Sequence, residues 1–473
     1  MSDSETFKIN NAEYSGTFNL KSIEDAKGIK FPKSAIRGMD IEENFLEPFT
    51  NGNIYINNPL DFIEDGGLVR GDGGDIFEIE FYNIDSGDSE GGFSEAPQGK
   101  KLKYRFVVGS EVNSASQTDR LNNFKVYSLI DLNYHKLNTE IPYGKRFRGK
   151  VGDIIRNILE EIVGDKYVDC AGWDTGDMVI DVLPEHILPP GTFRYSDLIK
   201  YLLKINYKQV GKTYVRLFLN WCRHCEQYKY LALNDWFKEV VTEKPQELFM
   251  ANDLVDKLEN NPNNPYTAAG STPMNAYSAP LQNTDLSTPM LTYTNSFLNN
   301  MLVSDYDAIL GEHKIKLLRI KDIKKEWKKY FVDIFKYAGG EAQPWLVLND
   351  VKTQKVFRNI GFPFTGDKAS KIAEAELTTN MTFFNLQLNF DTQGSVNREP
   401  GYGIDIAASR PQQDGDTDHR SDAKLLGTWF ITKVRHEFNT AKVDGYKNIL
   451  QCIKPHMGPG VPEPSDTNKY SPV

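Results

Sequence analysis

The hydrophobic pattern of this chain changes its period twice, and this change limits the possible folds more than any other feature of the sequence. In residues 75–83 apolar and acidic residues alternate, which is typical of a strand with one buried face. From residue 151 to residue 163 apolar residues recur every three or four positions, which predicts an amphipathic helix. After Leu377 strand-like runs return. The pattern therefore predicts a β-rich α+β fold with a helical or mixed region between two β regions.

Local patterns place the individual elements. Strands are predicted at 18–23, 53–58, 75–83, 102–109, 124–132 and 213–221 and, after Leu377, at 382–391, 402–408, 427–438 and 446–454. Besides 151–163, helices are predicted at 194–205, 234–241 and 322–337. In the second of these four helices Ser196 fits the N-cap position, because its hydroxyl could accept a hydrogen bond from a free backbone N–H of the first turn.

Polar stretches separate these parts. Residues 85–100 and 392–423 are predicted to be loops, and 259–300 a linker or an extended arm lying on a neighbouring chain. The predicted divisions are an N-terminal extension (1–14), a first β domain (15–140), a mixed helix and strand domain (141–250), a Pro/Asn/Ser-rich linker or arm (251–305), a mixed region (306–375), elements of a second β domain (376–456) and a flexible tail (457–473). A chain of 473 residues is too long for one hydrophobic core, so several units are expected.

Charge and cysteine content exclude several classes of protein. The chain carries 55 Lys and Arg against 65 Asp and Glu, a net charge of −10, so it has no general basic surface for nucleic acid. Four cysteines do not make a disulfide framework, which indicates assembly in a reducing cytoplasm. The N-terminal residues show no secretory signal pattern, and no apolar run approaches the roughly 18 residues of a membrane span. No membrane insertion is expected.

Two short motifs carry metal-ligating residue types. Cys222 and Cys225 enclose a histidine and have the spacing of half a zinc site, but no second pair of this kind exists, so ordinary thiols are predicted. In the segment 414–422 three aspartates match the first ligand spacings of a calcium-binding EF-hand loop. His419 then stands where the loop needs glycine, and Leu425 where it needs glutamate. A solvated acidic loop is predicted, and no metal is assigned.

No catalytic pattern stands out. The sequence has no G-x-S-x-G, H-E-x-x-H or Walker A motif. An Arg-Gly-Asp tripeptide at 70–72 lies in a Gly-rich stretch and is predicted to be a turn between strands. His436 precedes Glu437, but in a strand the two side chains point to opposite faces, so we interpret His436 as a strand histidine at an interface. We assign no catalytic residue and no cofactor.

Three stretches together resemble a known family. Residues 38–80 are similar to its opening strands, with a short excursion and a Gly-rich turn. Residues 150–221 are similar to its middle, where one helix, then a second, precedes a strand. Residues 425–455 are similar to its closing hairpin. With these stretches, which span about half the chain, the protein resembles the baseplate central hub proteins of contractile-tailed bacteriophages, which are related to the spike base of type VI secretion systems.

The resemblance implies an architecture and a set of partners. Each subunit would contribute two tube-type antiparallel β-barrel-like domains, and a homotrimer would form a ring of six that joins a sixfold tail tube to a threefold central spike. The implied partners are the spike, the tail tube or a tube-initiator protein, baseplate wedge proteins and, as a further candidate, the tape-measure protein. DNA would pass through the ring without specific binding. The protein would belong to the virion tail baseplate, with no chemical step.

Three alternatives remain open from the sequence. The same fold could serve as the hub of a secretion system or of a tailocin. The chain could be another baseplate component, such as a wedge or receptor-binding protein. A cell-wall hydrolase is the alternative from another class, because some hub complexes carry lysozyme domains.

Overall fold

The computed structural model describes secondary structure for residues 5–9, 12–22, 29–30, 36–57, 75–83, 101–112, 124–187, 194–223, 225–242, 248–250, 276–277, 282–287, 301–307, 312–318, 356–359, 368–383, 386–396, 398–407, 427–439 and 446–454. Five predicted features lie outside these ranges: the turn at 70–72, the loop at 85–100, the helix at 322–337, the acidic loop at 414–422 and the tail at 457–473.

The described elements are mostly strands. In chain order they are β1 (Glu5–Ile9), β2 (Ala12–Ser22), β3 (Ile29–Lys30), β4 (Ile36–Asn44), β5 (Glu47–Asn57), β6 (Asp75–Asn83), β7 (Lys101–Val112), β8 (Phe124–Asp131), β9 (Phe147–Lys150), β10 (Val168–Trp173), β11 (Val179–Val182), β12 (Tyr207–Val210), β13 (Thr213–Cys222), β14 (Gln227–Ala232), β15 (Leu248–Met250), β16 (Ala276–Tyr277), β17 (Gln282–Ser287), β18 (Met301–Asp307), β19 (Glu312–Leu318), β20 (Val356–Asn359), β21 (Leu386–Gln393), β22 (Gly403–Ala407), β23 (Gly427–Asn439) and β24 (Tyr446–Lys454). The α-helices are α1 (Leu132–Thr139), α2 (Val151–Ile162), α3 (Pro184–Ile187), α4 (Tyr195–Ile205), α5 (Leu233–Thr242) and α6 (Lys368–Phe383).

Most strands belong to one large sheet. Its 15 strands include the path β1-β2-β6-β7-β8-β5-β4-β23-β22-β15-β16, with β24, β21 and β17 following one another beside β23. Neighbouring strands are antiparallel except at β15, which pairs parallel with β16 and β22. The β-rich α+β class predicted from the sequence is confirmed.

Strand β23 connects the two ends of the chain. One edge pairs with β24, while on the other edge residues 427–430 pair with β22 and residues 433–439 pair with β4. At Gly38 on β4, a Cβ atom would lie 2.8 Å from the carbonyl oxygen of Phe438, so glycine allows the close approach of the two strands. The first and last β regions are therefore one hydrogen-bonded sheet.

The middle region is mixed, as predicted. Strands β10, β14, β13 and β12 form a second sheet, and β9 pairs with β11. On α2 the periodic apolar residues, such as Ile155 and Leu159, are fully buried, and Leu198 and Leu202 are buried in the same way on α4. The helical periods of the sequence therefore mark the faces that pack on this sheet.

An aromatic contact fixes the middle region to the large sheet. Phe45, directly after β4, is fully buried. Its ring centroid lies 5.1 Å from that of Phe218 on β13, 5.2 Å from Trp236 on α5, 6.0 Å from Phe383 on α6 and 5.0 Å from Phe430 on β23. Removing such a buried ring typically costs about 3–5 kcal/mol, so this one side chain holds four elements together.

Two local predictions are wrong. The helix α4 begins at Tyr195 and its cap position is Arg194, while Ser196 is buried and its hydroxyl lies 3.0 Å from Asn138 Oδ1. The strand predicted at 382–391 begins only at Leu386, because α6 continues through Phe383. The β-forming residues Thr378, Thr379 and Thr382 are helical because their side chains pack in the core, where each hydroxyl donates to the carbonyl four residues earlier.

The segment 251–305, predicted as a linker or arm, contains the short strands β16 and β17 and most of β18 among its described residues. Strand β17 pairs antiparallel with β21 of the same chain. The domain limits set out above stay predictions.

Candidate functional site: a buried ionic cluster

Five polar side chains from distant parts of the chain meet where β4 pairs with β23. We call them the ionic cluster: Glu43 (β4), Tyr104 (β7), Arg223 (after β13), Glu399 (loop 394–401) and His436 (β23). All five are buried. Charged groups are rarely buried without partners, so the contacts of these five side chains show which segments of the chain the cluster holds together.

Arg223 lies between two carboxylates. Its Nε is 3.2 Å from Glu43 Oε1 and 3.2 Å from Glu399 Oε1. Its Nη2 donates to the carbonyl oxygen of Arg398 at 2.6 Å. Glu43 Oε1 also accepts a hydrogen bond of 2.8 Å from the Tyr104 hydroxyl. The guanidinium therefore ties β4 to the end of β13 and to the loop 394–401.

The hydrogen bonds of Asn448 determine which nitrogen of His436 carries the proton. Asn448 Oδ1 accepts from Ser395 N at 2.7 Å and from Arg398 Nη1 at 2.7 Å, which directs its Nδ2 donor towards His436 Nδ1 at 2.9 Å. His436 Nδ1 is therefore an acceptor, and the proton is assigned to Nε2, which lies 3.5 Å from Glu43 Oε2.

The charges agree with this assignment. Burial lowers the pKa of His436 below 6.5, and Glu43 opposes this only in part, so the imidazole is neutral at pH 7. Burial raises the pKa of Glu43, but Arg223 and then His436 oppose it more strongly, and the pKa lies below its ordinary value. Burial raises the pKa of Tyr104 well above its ordinary value, so it stays a neutral donor. Glu43 is thus a carboxylate held by Arg223, Tyr104 and His436.

The loop 394–401 fits closely around the cluster. At Gly394 a Cβ atom would lie 2.2 Å from the Tyr446 ring, so only glycine fits there. The Tyr446 hydroxyl lies 2.8 Å from His436 Nδ1, which brings this ring into the same hydrogen-bond network. A network of this kind restricts the pairing of β4 with β23, because a slip of one strand by one residue would place Glu43 and His436 on opposite faces of the sheet.

Among the described residues singled out from the sequence, His436 belongs to the ionic cluster, and Cys222 and Cys225 lie close to each other. His436 and Glu437 do face opposite sides, as predicted: Glu437 pairs with Arg435 at 3.2 Å and Lys447 at 3.0 Å. His436 itself is fully buried within the chain's own sheet, which corrects its interpretation as an interface histidine.

The cysteine pair is divided between core and surface. Cys222 and Cys225 are both free thiols; Cys222 is buried and Cys225 is exposed. Burial, and then Glu399, raise the pKa of Cys222 to about 12, so the thiol is neutral at pH 7. His224, the tripeptide at 70–72 and the aspartates at 414–418 lie outside the described residues. Within the described residues no three or more His, Cys, Asp or Glu side chains are grouped to hold a metal ion.

Sequence reasoning missed the ionic cluster. Arg223 lies more than 170 residues from both Glu43 and Glu399, and no local spacing in the sequence predicts that the three residues meet. The sequence signal that could have indicated the cluster is Arg223, a charged residue directly after a strand of predominantly apolar residues.

Comparisons with known proteins found likenesses in structure alone. No family model matches the sequence, and no curated protein matches it. A tail protein of Neisseria meningitidis is similar with a TM-score of 0.48 and 12% identity over 94% of this chain and 99% of that one. A 43 kDa tail protein of prophage MuSo2 from Shewanella oneidensis has a TM-score of 0.43 and 9% identity over 93% and 98%. An Escherichia coli component of the type VI secretion system has a TM-score of 0.39 and 9% identity over 93% and 78%.

These structures are of a tail protein, a prophage tail protein and a type VI secretion component. With TM-scores below 0.5, the likenesses assign neither a function nor a partner to this chain. Among the described residues, no helix is long and apolar enough to cross a membrane.

Proposed function

We propose that the protein is a structural subunit of a bacteriophage tail baseplate, a homotrimeric hub that joins the sixfold tail tube to the threefold central spike. The observation that carries this proposal is the pairing of β4 with β23, which makes one sheet from the two ends of the chain and is held by the ionic cluster. Such a joint resists shear between the two β regions. A baseplate subunit requires this resistance when the tail contracts. In a closed ring, exposed strand edges can pair with neighbouring subunits.

The ring would enclose the channel for genome ejection. Its partners would be the central spike, the tail tube or a tube-initiator protein, baseplate wedge proteins and the tape-measure protein. A net charge of −10 disfavours adhesion to DNA phosphates, which suits a surface past which DNA slides. The protein would assemble in the host cytoplasm and remain in the virion tail.

The ionic cluster supports a role without chemistry. His436 and Glu43 form an imidazole–carboxylate pair, but both side chains are buried and their network ties strands together. A general base must reach the proton it removes, and this one has no exposed atom to offer a substrate. A zymogram on peptidoglycan tests the hydrolase alternative: we expect no clearing, and clearing would contradict the structural role.

The native mass tests the hub directly. Light scattering of the purified protein should give about three times 53.8 kDa, the trimer expected for a hub. A stable monomer that a spike protein does not convert to a trimer would contradict the proposal. A trimeric hub from a secretion system or a tailocin would have the same native mass. The neighbouring genes distinguish these systems from a phage.

A further inference from the structure

A groove is lined by residues 44–46, which follow Glu43 of the ionic cluster, and by residues 216–219 of β13. It has a volume of about 400 Å³, in the range of cavities that hold a ligand or several side chains. Its solvent-accessible apolar lining includes Leu46 and Leu203, and Lys204 and Arg216 lie along it. We call this surface the cationic groove.

The charge of the groove is opposite to that of the chain. Its lining includes the cations Lys204 and Arg216, and among the described residues no Asp or Glu lines it. The chain as a whole carries ten more acidic than basic residues. The remaining polar lining, such as Asn380 and Gln387, consists of amides and hydroxyls. The groove therefore suits an occupant with large apolar side chains and a carboxylate beside them.

The chain itself carries such a group on its surface. The loop 140–143, between α1 and β9, presents Glu140, Ile141 and Tyr143, all exposed. Ile141 is 62% exposed and Tyr143 79%, the two highest values among the large apolar side chains that the structure describes. We call this loop the knob.

The knob is held in place from both sides. Its Glu140 carbonyl oxygen accepts a hydrogen bond of 3.3 Å from Tyr195 N at the start of α4. The amide of Gly144 donates to the Glu185 carboxylate, and Lys145 pairs with Glu161. A loop fixed in this way loses little conformational entropy when its exposed side chains are buried by a partner.

We propose that the knob of one copy docks into the cationic groove of the next, with Glu140 beside Lys204 and Arg216 and with Ile141 and Tyr143 against Leu46 and Leu203. The knob lies at one end of α4 and the groove at the other. With a rise of 1.5 Å per residue, these two ends of the helix are roughly 13 Å apart. The contact therefore joins two different surfaces, and a head-to-tail contact of this kind closes into a ring when the successive rotations complete a full turn. This inference rests on the proposed trimer and adds the residues that hold it.

Variants of both surfaces test the contact. Sedimentation equilibrium should show that Ile141→Ser with Tyr143→Ser weakens trimer formation roughly 30-fold, the loss expected for a buried aromatic anchor. Glu140→Lys and Lys204→Glu should each weaken it about tenfold. The double variant Glu140→Lys with Lys204→Glu should recover most of this loss, which a folding defect would not do.

Matched controls separate the contact from general surface effects. Ile315→Ser changes another exposed apolar side chain, and Lys212→Glu reverses another exposed lysine, and neither residue belongs to the knob or the groove. Both controls should associate like the unchanged protein. Circular dichroism melting of every variant checks that the fold is retained.

The outcomes distinguish this inference from the proposed function. If the unchanged protein is a trimer and the knob variants associate normally, the inference is wrong while the hub remains. If groove variants lose the trimer but knob variants do not, the groove has another occupant and the inference is again wrong. If the unchanged protein is a monomer at every concentration and with the spike, the proposed function and the inference both fail.

Discussion

Replacing Arg223 by methionine should destabilise the fold strongly. The guanidinium lies 3.2 Å from a carboxylate oxygen of both Glu43 and Glu399, and all three side chains are buried. Methionine keeps much of the packing but leaves the two carboxylates without a cation between them. Removing one partner from a buried ionic group costs about 3–5 kcal/mol. This is a large share of the roughly 5–15 kcal/mol that holds a typical domain folded.

Urea unfolding followed by circular dichroism measures this change. The control is Arg148→Met, whose side chain is 81% exposed and whose Nε lies 3.9 Å from Asp181, so its loss should be below about 1 kcal/mol. Replacing Glu43 and Glu399 by leucine in the Arg223→Met background should restore stability, because no buried charge is then left without a partner. An Arg223→Met variant as stable as the control would refute the reasoning.

The effect should also depend on pH. In the unchanged protein the pKa of Glu43 lies below its ordinary value of 4.5, so its contribution is present above pH 4.5 and is lost as the pH falls through the lower, folded-state value. In Arg223→Met this stabilisation is absent, and protonation of Glu43 removes the cost of burying its unpaired charge. The difference in stability between the two proteins should therefore narrow in acid. A constant difference from pH 7 to pH 4 would contradict this reading of Glu43.

Three further changes have expected outcomes. Because burial lowers the pKa of His436 below 6.5, the unchanged protein should lose stability as the pH falls below 6.5. Melting temperatures measured at a series of pH values should show this loss, and His436→Gln should reduce it. Gly394→Ala places a Cβ atom 2.2 Å from the Tyr446 ring, which should cost about 1–3 kcal/mol or more in urea unfolding, and no loss would contradict the close fit. Phe45→Ala should cost about 3–5 kcal/mol, whereas the half-exposed Leu46→Ala next to it should change stability by less than about 1 kcal/mol.

The elements that the sequence predicted well are those whose signal is local. The alternation in 75–83 corresponds to β6, and the helical period of 151–163 corresponds to α2. The repeating residues Phe77 and Ile79 of β6, and Ile155 and Leu159 of α2, are buried. The helix α6 was not predicted at all, because residues such as Thr378 and Thr382 favour strands in isolation, while the burial of their side chains in the fold favours a helix.

The joint between β4 and β23 and the ionic cluster could not be read from the sequence. His436 pairs with Ile41 across 395 positions of the chain, and nothing near either residue specifies that partner. Among 65 acidic residues, those that bind Arg223 are chosen by the folded backbone. Local patterns therefore predicted the β-rich class and its mixed centre, whereas the candidate site depends on contacts between distant segments.

Electron microscopy of the purified protein tests the central claim most directly. The account predicts class averages of a ring with threefold symmetry, about three times 53.8 kDa in mass, with an open channel on its axis. Solid particles without a channel, or single subunits that stay separate when the spike protein is added, would contradict it.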